Sequence, residues 1–198
     1  MQDLIERLYR IGSIKIGDFI LTSGIKSPFY IDLRRIYGYP DLVKDIVKKI
    51  LEKTDLSDIE VVVGVATAGI PLASYIACIS NLPLAYVRVE KREHGTRSQV
   101  EGEVEGRRAV IVDDVATTGG SIEASIEILK RSGSNPVKAV VVVDREQGAS
   151  ERLGRHGVKL YSLYTAREIF RRLHEIGVID LNTLNKILDY IESSKMRS

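Results

Sequence analysis

The chain has 198 residues, 44% of them hydrophobic and 28% charged, which suits a soluble globular domain with a sizeable core and excludes a disordered or fibrous polypeptide. Its 29 basic and 27 acidic residues leave a net charge of +2, so bulk charge gives no case for binding nucleic acid. A single cysteine, Cys78, excludes an intrachain disulfide framework. No apolar run approaches about 18 residues and no signal-peptide core opens the chain, which predicts a cytoplasmic protein with no membrane partner.

In chain order, Leu4, Ile5, Leu8 and Ile11 space out an opening amphipathic helix. Gly17 to Leu21 and Phe29 to Leu33 read as short strands around a Ser23-Gly24 turn. Pro40-Asp41 starts a helix with Leu42, Ile46 and Ile50 along one face. From there strands and helices alternate. Ile59–Val65, Leu84–Val89, Arg107–Asp113, Val137–Asp144 and Val158–Leu163 are predicted strands; Ile70–Ile79 and Ser121–Arg131 are predicted helices. Cys78 falls in the apolar run of Leu72, Ala73, Ile76 and Ala77, which predicts an inert buried thiol. A last helix carries Leu181, Leu184, Leu188 and Ile191 on one side and is expected to pack on the sheet. Runs such as Val61-Val62-Val63 and Val140 to Val143 imply strands buried on both faces. The pattern predicts an α/β fold, a doubly wound and mainly parallel sheet flanked by helices. No GxGxxG follows the first strand, which argues against a plain dinucleotide-binding domain.

In such sheets ligands gather at the carboxyl ends of the strands, and the strand ends here carry chemistry. Val110 to Ser121 reads VIVDDVATTGGS: a strand, two carboxylates, a small hydroxyl- and glycine-rich turn, then a helix. A helix N-terminus accepts a phosphate, and Thr117, Thr118 and Ser121 add donors. Ionised Asp113 and Asp114 only accept hydrogen bonds, so they suit sugar hydroxyls, or a sugar turning cationic. The segment reads as a ribose-phosphate site; an Asx-capped helix entry or a Mg²⁺-binding Asp pair are the alternatives. Ala66-Thr67-Ala68-Gly69-Ile70-Pro71 is a second small turn, either an anion loop or simple helix entry. Arg88 to Glu105 is polar, with Arg88, Lys91, Arg92, His94 and Arg97 able to clamp a pyrophosphate. Too poor in apolar residues to bury itself, it reads as a lid that is mobile when empty, or as a solvated hairpin. Arg145, after another strand, is a fork of donors suited to a carboxylate. Lys26, Phe29 and Tyr30 offer a place for a flat ring, or the core of a structural hairpin.

The dozen residues from Val110 resemble the phosphoribosyl-pyrophosphate (PRPP) signature of type I phosphoribosyltransferases. Four further segments, LTSGIKSPFYID, GVATAGIP, RVEKREHGT and DREQG, resemble the orotate phosphoribosyltransferase family in order and spacing, from about Phe19 to Gly148. The resemblance implies the type I phosphoribosyltransferase fold, with an N-terminal helix and hood over residues 1–36 and a core over 37–198, one structural domain overall. It implies transfer of phosphoribose from PRPP to orotate, giving orotidine 5′-monophosphate and pyrophosphate. Arg145, Thr117 and the backbone around Tyr30 and Ile31 would contact orotate, with Lys26 nearby. Asp113 and Asp114 would hold the ribose hydroxyls. Val115, Ala116, Thr117, Thr118, Gly119, Gly120 and Ser121 would hold the 5′-phosphate, and Thr67 and Ala68 the pyrophosphate. Arg88, Lys91, Arg92 and His94 belong to the lid, with Arg92 and His94 steadying or protonating the leaving group. Mg²⁺ would ride on PRPP without a direct protein ligand. In this family the lid reaches the neighbouring subunit's site, which implies a homodimer. Family members carry lysine where this chain has Thr22, Ala68 and Val89, and Arg92 replaces a lid lysine. A purine phosphoribosyltransferase, or a PRPP-sensing regulator without catalysis, are the rival functions.

Overall fold

The computed structural model describes residues 3–20, 24, 26–90 and 98–195. Helix α1 (Leu4–Arg10) starts where the Asp3 carboxylate accepts from the Ile5 N–H. An antiparallel hairpin follows, β1 (Ile14–Ile20) with β2 (Lys26–Ile31), then a 3-10 helix (Leu33–Gly38) and α2 (Pro40–Lys53). Pro40 opens α2 at the position where a missing N–H costs nothing. The main sheet comprises β3 (Val61–Val65), β4 (Leu84–Val87), β5 (Val100–Glu101), β6 (Arg108–Ala116), β7 (Asn135–Asp144) and β8 (Lys159–Thr165). Between them lie α3 (Gly69–Ser80), α4 (Gly120–Arg131) and α5 (Ala149–Gly154); α6 (Ala166–Glu175) and α7 (Leu181–Lys195) end the chain.

The strand order is β5-β4-β3-β6-β7-β8, parallel throughout except for the β4–β5 pair. Strands present alternate residues to opposite faces, so each run feeds two cores. Val62, Val110, Val112, Val140 and Val142 pack with α2, α3, α6 and α7, while Val61, Val63, Ile111, Ala139 and Val141 pack with α4 and α5. That is why these strands read as unbroken apolar runs. From β3 the chain crosses outward to β4; from β6, beside β3, it crosses the other way to β7. The crevice between the ends of β3 and β6 is therefore the switch point where such sheets bind ligands.

The doubly wound, mainly parallel sheet is as the sequence leads one to expect, with differences at its margins. Strand β6 runs on through both acidic residues to Ala116, because β7 continues to pair with it. Helices α5 and α6 were not anticipated, although Thr165 and Glu168 form a capping box that is visible in the sequence. Cys78 is exposed, not buried: the inward stripe of α3 is Gly69, Leu72, Ala73, Ile76 and Ala77, and residue 78 lies one step off it. The buried face of α7 is Leu184, Ile187 and Ile191, with Leu181 exposed, and its main neighbours are α6 and β2 instead of the sheet. The hood hairpin and the C-terminal helix thus share one core, where the Phe29 ring lies 4.6 Å from Phe170 and 5.8 Å from Tyr190. Among the described residues, no helix is long and apolar enough to cross a membrane.

Candidate active site

At the end of β6, Asp113 is buried and Asp114 half-buried. The Asp114 N–H donates to the Asp113 carboxylate at 2.9 Å, and the Val115 N–H to the Asp114 carboxylate at 2.8 Å. Burial pushes both carboxyls above their ordinary range, and the Asp114 charge pushes Asp113 further. The turn beyond them encloses a cradle of 170 Å³ lined by Asp113 and by Val115 through Ile122. Among the described residues, no side chain caps α4, so its first amides are open to a ligand. Gly119 enters α4 at φ +82°, and a Cβ there would lie 3.1 Å from the Ala149 Cα. A larger residue fails on both counts.

The second turn, at the end of β3, contains a cis Ala66–Thr67 peptide and leads into α3. A Cβ on Gly69 would sit 2.3 Å from the Val112 carbonyl oxygen and 3.0 Å from the Asp113 Cα. The helix start is thus pressed directly against Val112 and Asp113. The two turns open into one cavity of 750 Å³, lined by Ala66, Thr67 and Ile70 on one side, Ser121 on another, and Tyr86, Arg88, Val89 and Glu90. Arg88 is the one cation lining it among the described residues. Its guanidinium stacks on the Tyr86 ring at 4.9 Å and pairs with Glu101 at 2.7 Å.

The stems of the lid segment are ordered. Strand β5 pairs with β4, the Gln99 side chain donates to the Arg88 and Val89 carbonyls, and Val104 is buried. Strands β4 and β5 thus pair as the hairpin reading has it, and the expectation of mobility concerns residues 91–97, which lie outside the described residues. Lys91, Arg92, His94 and Arg97 lie outside the described residues, as does Thr22.

Arg145 starts one strand over, where its N–H donates to the Ala116 carbonyl at 2.9 Å. Its guanidinium lies 4.8 Å over the Phe29 ring, 3.5 Å from the Ser27 hydroxyl, and is 7% exposed. Among the described residues, the buried Nε has no hydrogen-bond partner. Burial pushes the Arg145 pKa down. Burial also works to raise the Tyr190 phenol beside it, but hydrogen bonds with Ser27, Gln147 and Ser194 outweigh that and bring it down. Tyr30 is half-buried with its ring 5.7 Å from Phe19, Ile31 is buried, and Lys26 is exposed at the start of β2.

Residues 36–156 match the family model of the phosphoribosyl transferase domain. An orotate phosphoribosyltransferase of Sulfurisphaera tokodaii is 44% identical over 96% of this chain and 97% of its own length. The crystal structure of orotate phosphoribosyltransferase from Aeropyrum pernix superposes with a TM-score of 0.79 at 42% identity, covering 90% of this chain and all of that one. The chain belongs to the orotate phosphoribosyltransferase family. The Mycobacterium tuberculosis orotate phosphoribosyltransferase, solved in complex with PRPP, is more distant: TM-score 0.68, 28% identity, 84% of this chain and 96% of that one.

Within this family member, two of the positions that lack the expected lysine are described. Val89 lines the large cavity as an exposed apolar side chain, and Ala68, half-buried at the start of α3, has only a methyl group. Sequence reasoning missed three contributors. Tyr37 donates to the Ala68 carbonyl at 3.0 Å, and Ser27 and Tyr190 frame Arg145. Gln147, also buried, stood in a recognised segment without a role. For Tyr37 and Tyr190 no local pattern signals the site; only the fold brings them to it.

Proposed function

We propose that the chain carries out its family's reaction with the residues assembled at the β3, β6 and β7 ends. It transfers phosphoribose from PRPP to orotate, giving orotidine 5′-monophosphate and pyrophosphate, a step of pyrimidine biosynthesis. The turn amides and the hydroxyls of Thr117, Thr118 and Ser121 take the 5′-phosphate. Asp113 and Asp114 accept from the ribose hydroxyls and then face a ribose that becomes oxocarbenium-like as its C1–O bond breaks. Thr67, the Ala68–Gly69 backbone and Arg88 take the departing pyrophosphate, Arg88 exchanging Glu101 for it. Arg145 holds the orotate carboxylate, with Thr117 and the backbone of Tyr30 and Ile31 along the ring.

Among the described residues, no three His, Cys, Asp or Glu side chains converge to hold a metal ion. The Asp113 and Asp114 carboxylates suit a Mg²⁺ already ligated by PRPP. When bound, that ion offsets the charge of the leaving pyrophosphate. Arg92 and His94 of the lid add donors at the leaving oxygen, and the closed lid excludes water that would hydrolyse PRPP. The working form is a homodimer sharing lids between subunits, and the enzyme acts in the cytoplasm. Both statements rest on the family resemblance and the sequence.

One observation carries the acceptor assignment: the Arg145 guanidinium is buried with its Nε unpartnered among the described residues, a cationic donor suited to a carboxylate, and its N–H bond to Ala116 sets it beside the phosphate turn. The test is PRPP-dependent pyrophosphate release with orotate, adenine, hypoxanthine and uracil in parallel. Orotate alone should support turnover. A purine base that does as well would contradict the assignment, and no turnover with any base would favour a sensor.

A further inference from the structure

The loop that ends β3 has little chemistry of its own with which to hold its shape. Ala66, Thr67 and Ala68 contribute one hydroxyl, and among the described residues no side chain caps the helix that follows. Among the described residues, one side chain from elsewhere hydrogen-bonds this backbone: Tyr37, whose hydroxyl donates to the Ala68 carbonyl at 3.0 Å across 31 positions of sequence. The backbone of Leu72, one turn into α3, also meets the phenol oxygen. Burial, with Asp114 nearby, pushes this phenol well above its ordinary value, so it stays protonated and remains a donor. Tyr37 comes from the 3-10 helix that directly follows the hood hairpin, and its ring packs on the core.

The Ala68–Gly69 peptide is planar, so fixing the carbonyl oxygen of Ala68 also fixes the direction of the Gly69 N–H. That N–H is one of the open amides at the start of α3. Gly69 is already pressed against Val112 and Asp113 from its other side. The peptide is held by β6 on one side and by Tyr37 on the other. We propose that Tyr37 is a positioning residue for the leaving group: its hydroxyl holds residues 66–69 in the form that receives pyrophosphate, on a loop where small side chains give no such support. This rests on the reading of that loop as the pyrophosphate subsite.

Tyr37→Phe removes one oxygen and keeps the ring's packing. Its steady-state constants should be measured in both directions, beside the melting temperature. The KM values of PRPP and pyrophosphate should rise roughly three- to tenfold, as expected for one lost hydrogen bond, with the KM values of orotate and orotidine 5′-monophosphate unchanged. Unchanged constants for PRPP and pyrophosphate would overturn the proposal. So would an equal rise in all four KM values with a lowered melting temperature, the mark of a merely structural role. Thr67→Asp separates the two levels, because a carboxylate there repels a pyrophosphate. If it weakens pyrophosphate while Tyr37→Phe does not, the positioning role falls and the subsite stands. If Thr67→Asp also leaves pyrophosphate untouched, the subsite assignment falls first.

Discussion

The donor and acceptor sides of this site are built in opposite ways. The ribose-phosphate half of the donor side is contiguous: Asp113 through Ser121 supply carboxylates, turn and helix start within nine residues, and Gly69 locks the neighbouring turn against them. The acceptor side is gathered from far apart. Arg145 at the end of β7 lies on Phe29 of the hood, near Ser27, with Tyr190 of the last helix behind it. A contiguous site is fixed by local geometry and tolerates changes elsewhere. A gathered site depends on the packing of hood, sheet and C-terminal helix together, so acceptor use should be the more easily perturbed property.

Variants on each side can break or sharpen this contrast. The largest effect is expected for Asp114→Asn, which removes one of the charges facing the ribose. Its kcat should drop by about 10²- to 10⁴-fold with an unaltered circular dichroism spectrum. Arg145→Ala should cost roughly 2–5 kcal/mol in kcat/KM for orotate, with PRPP binding by calorimetry retained. Unchanged orotate kinetics would remove the basis for the acceptor assignment. Gly69→Ala should destabilise the fold by about 1–3 kcal/mol in denaturant unfolding, since its Cβ would meet the Val112 backbone at 2.3 Å and backbone cannot yield cheaply. Glu101→Gln should be the mildest, changing stability by less than about 1 kcal/mol while freeing Arg88 and lowering the KM for PRPP.

A pH effect is also expected on the donor side. Burial lifts the carboxyls of the acidic pair, so the empty protein is stabilised by their protonation at low pH. That contribution is lost as pH rises through the raised values. Ribose hydroxyls need ionised acceptors, so PRPP with Mg²⁺ should release protons on binding near neutral pH. Calorimetry in two buffers of different ionisation enthalpy reads the sign, and proton uptake would contradict it.

The same contrast explains what the sequence disclosed. The fold was legible because both faces of the sheet are covered, leaving runs such as Val140 to Val143 unbroken, and because α2 opens on a proline and α3 and α4 on glycines. The donor site was legible because its residues are neighbours in sequence. Arg145 was found through its own short motif, but two distant supports of the site were not: Tyr190, beside Arg145, sits in an ordinary amphipathic helix, and Tyr37, on the Ala68 carbonyl, in a 3-10 helix whose pattern carries no signal. The exposure of Cys78 was misjudged because an apolar run was read without its helical phase. Local chemistry is readable where the chain is continuous, and long-range support appears only once the chain is folded.

The most direct test is a crystal structure of the protein with PRPP and Mg²⁺. The account predicts the 5′-phosphate in the turn of residues 117–121, the ribose hydroxyls on Asp113 and Asp114, and the pyrophosphate over Thr67. Density for PRPP in any other place, or with the sugar turned away from the two carboxylates, would contradict it.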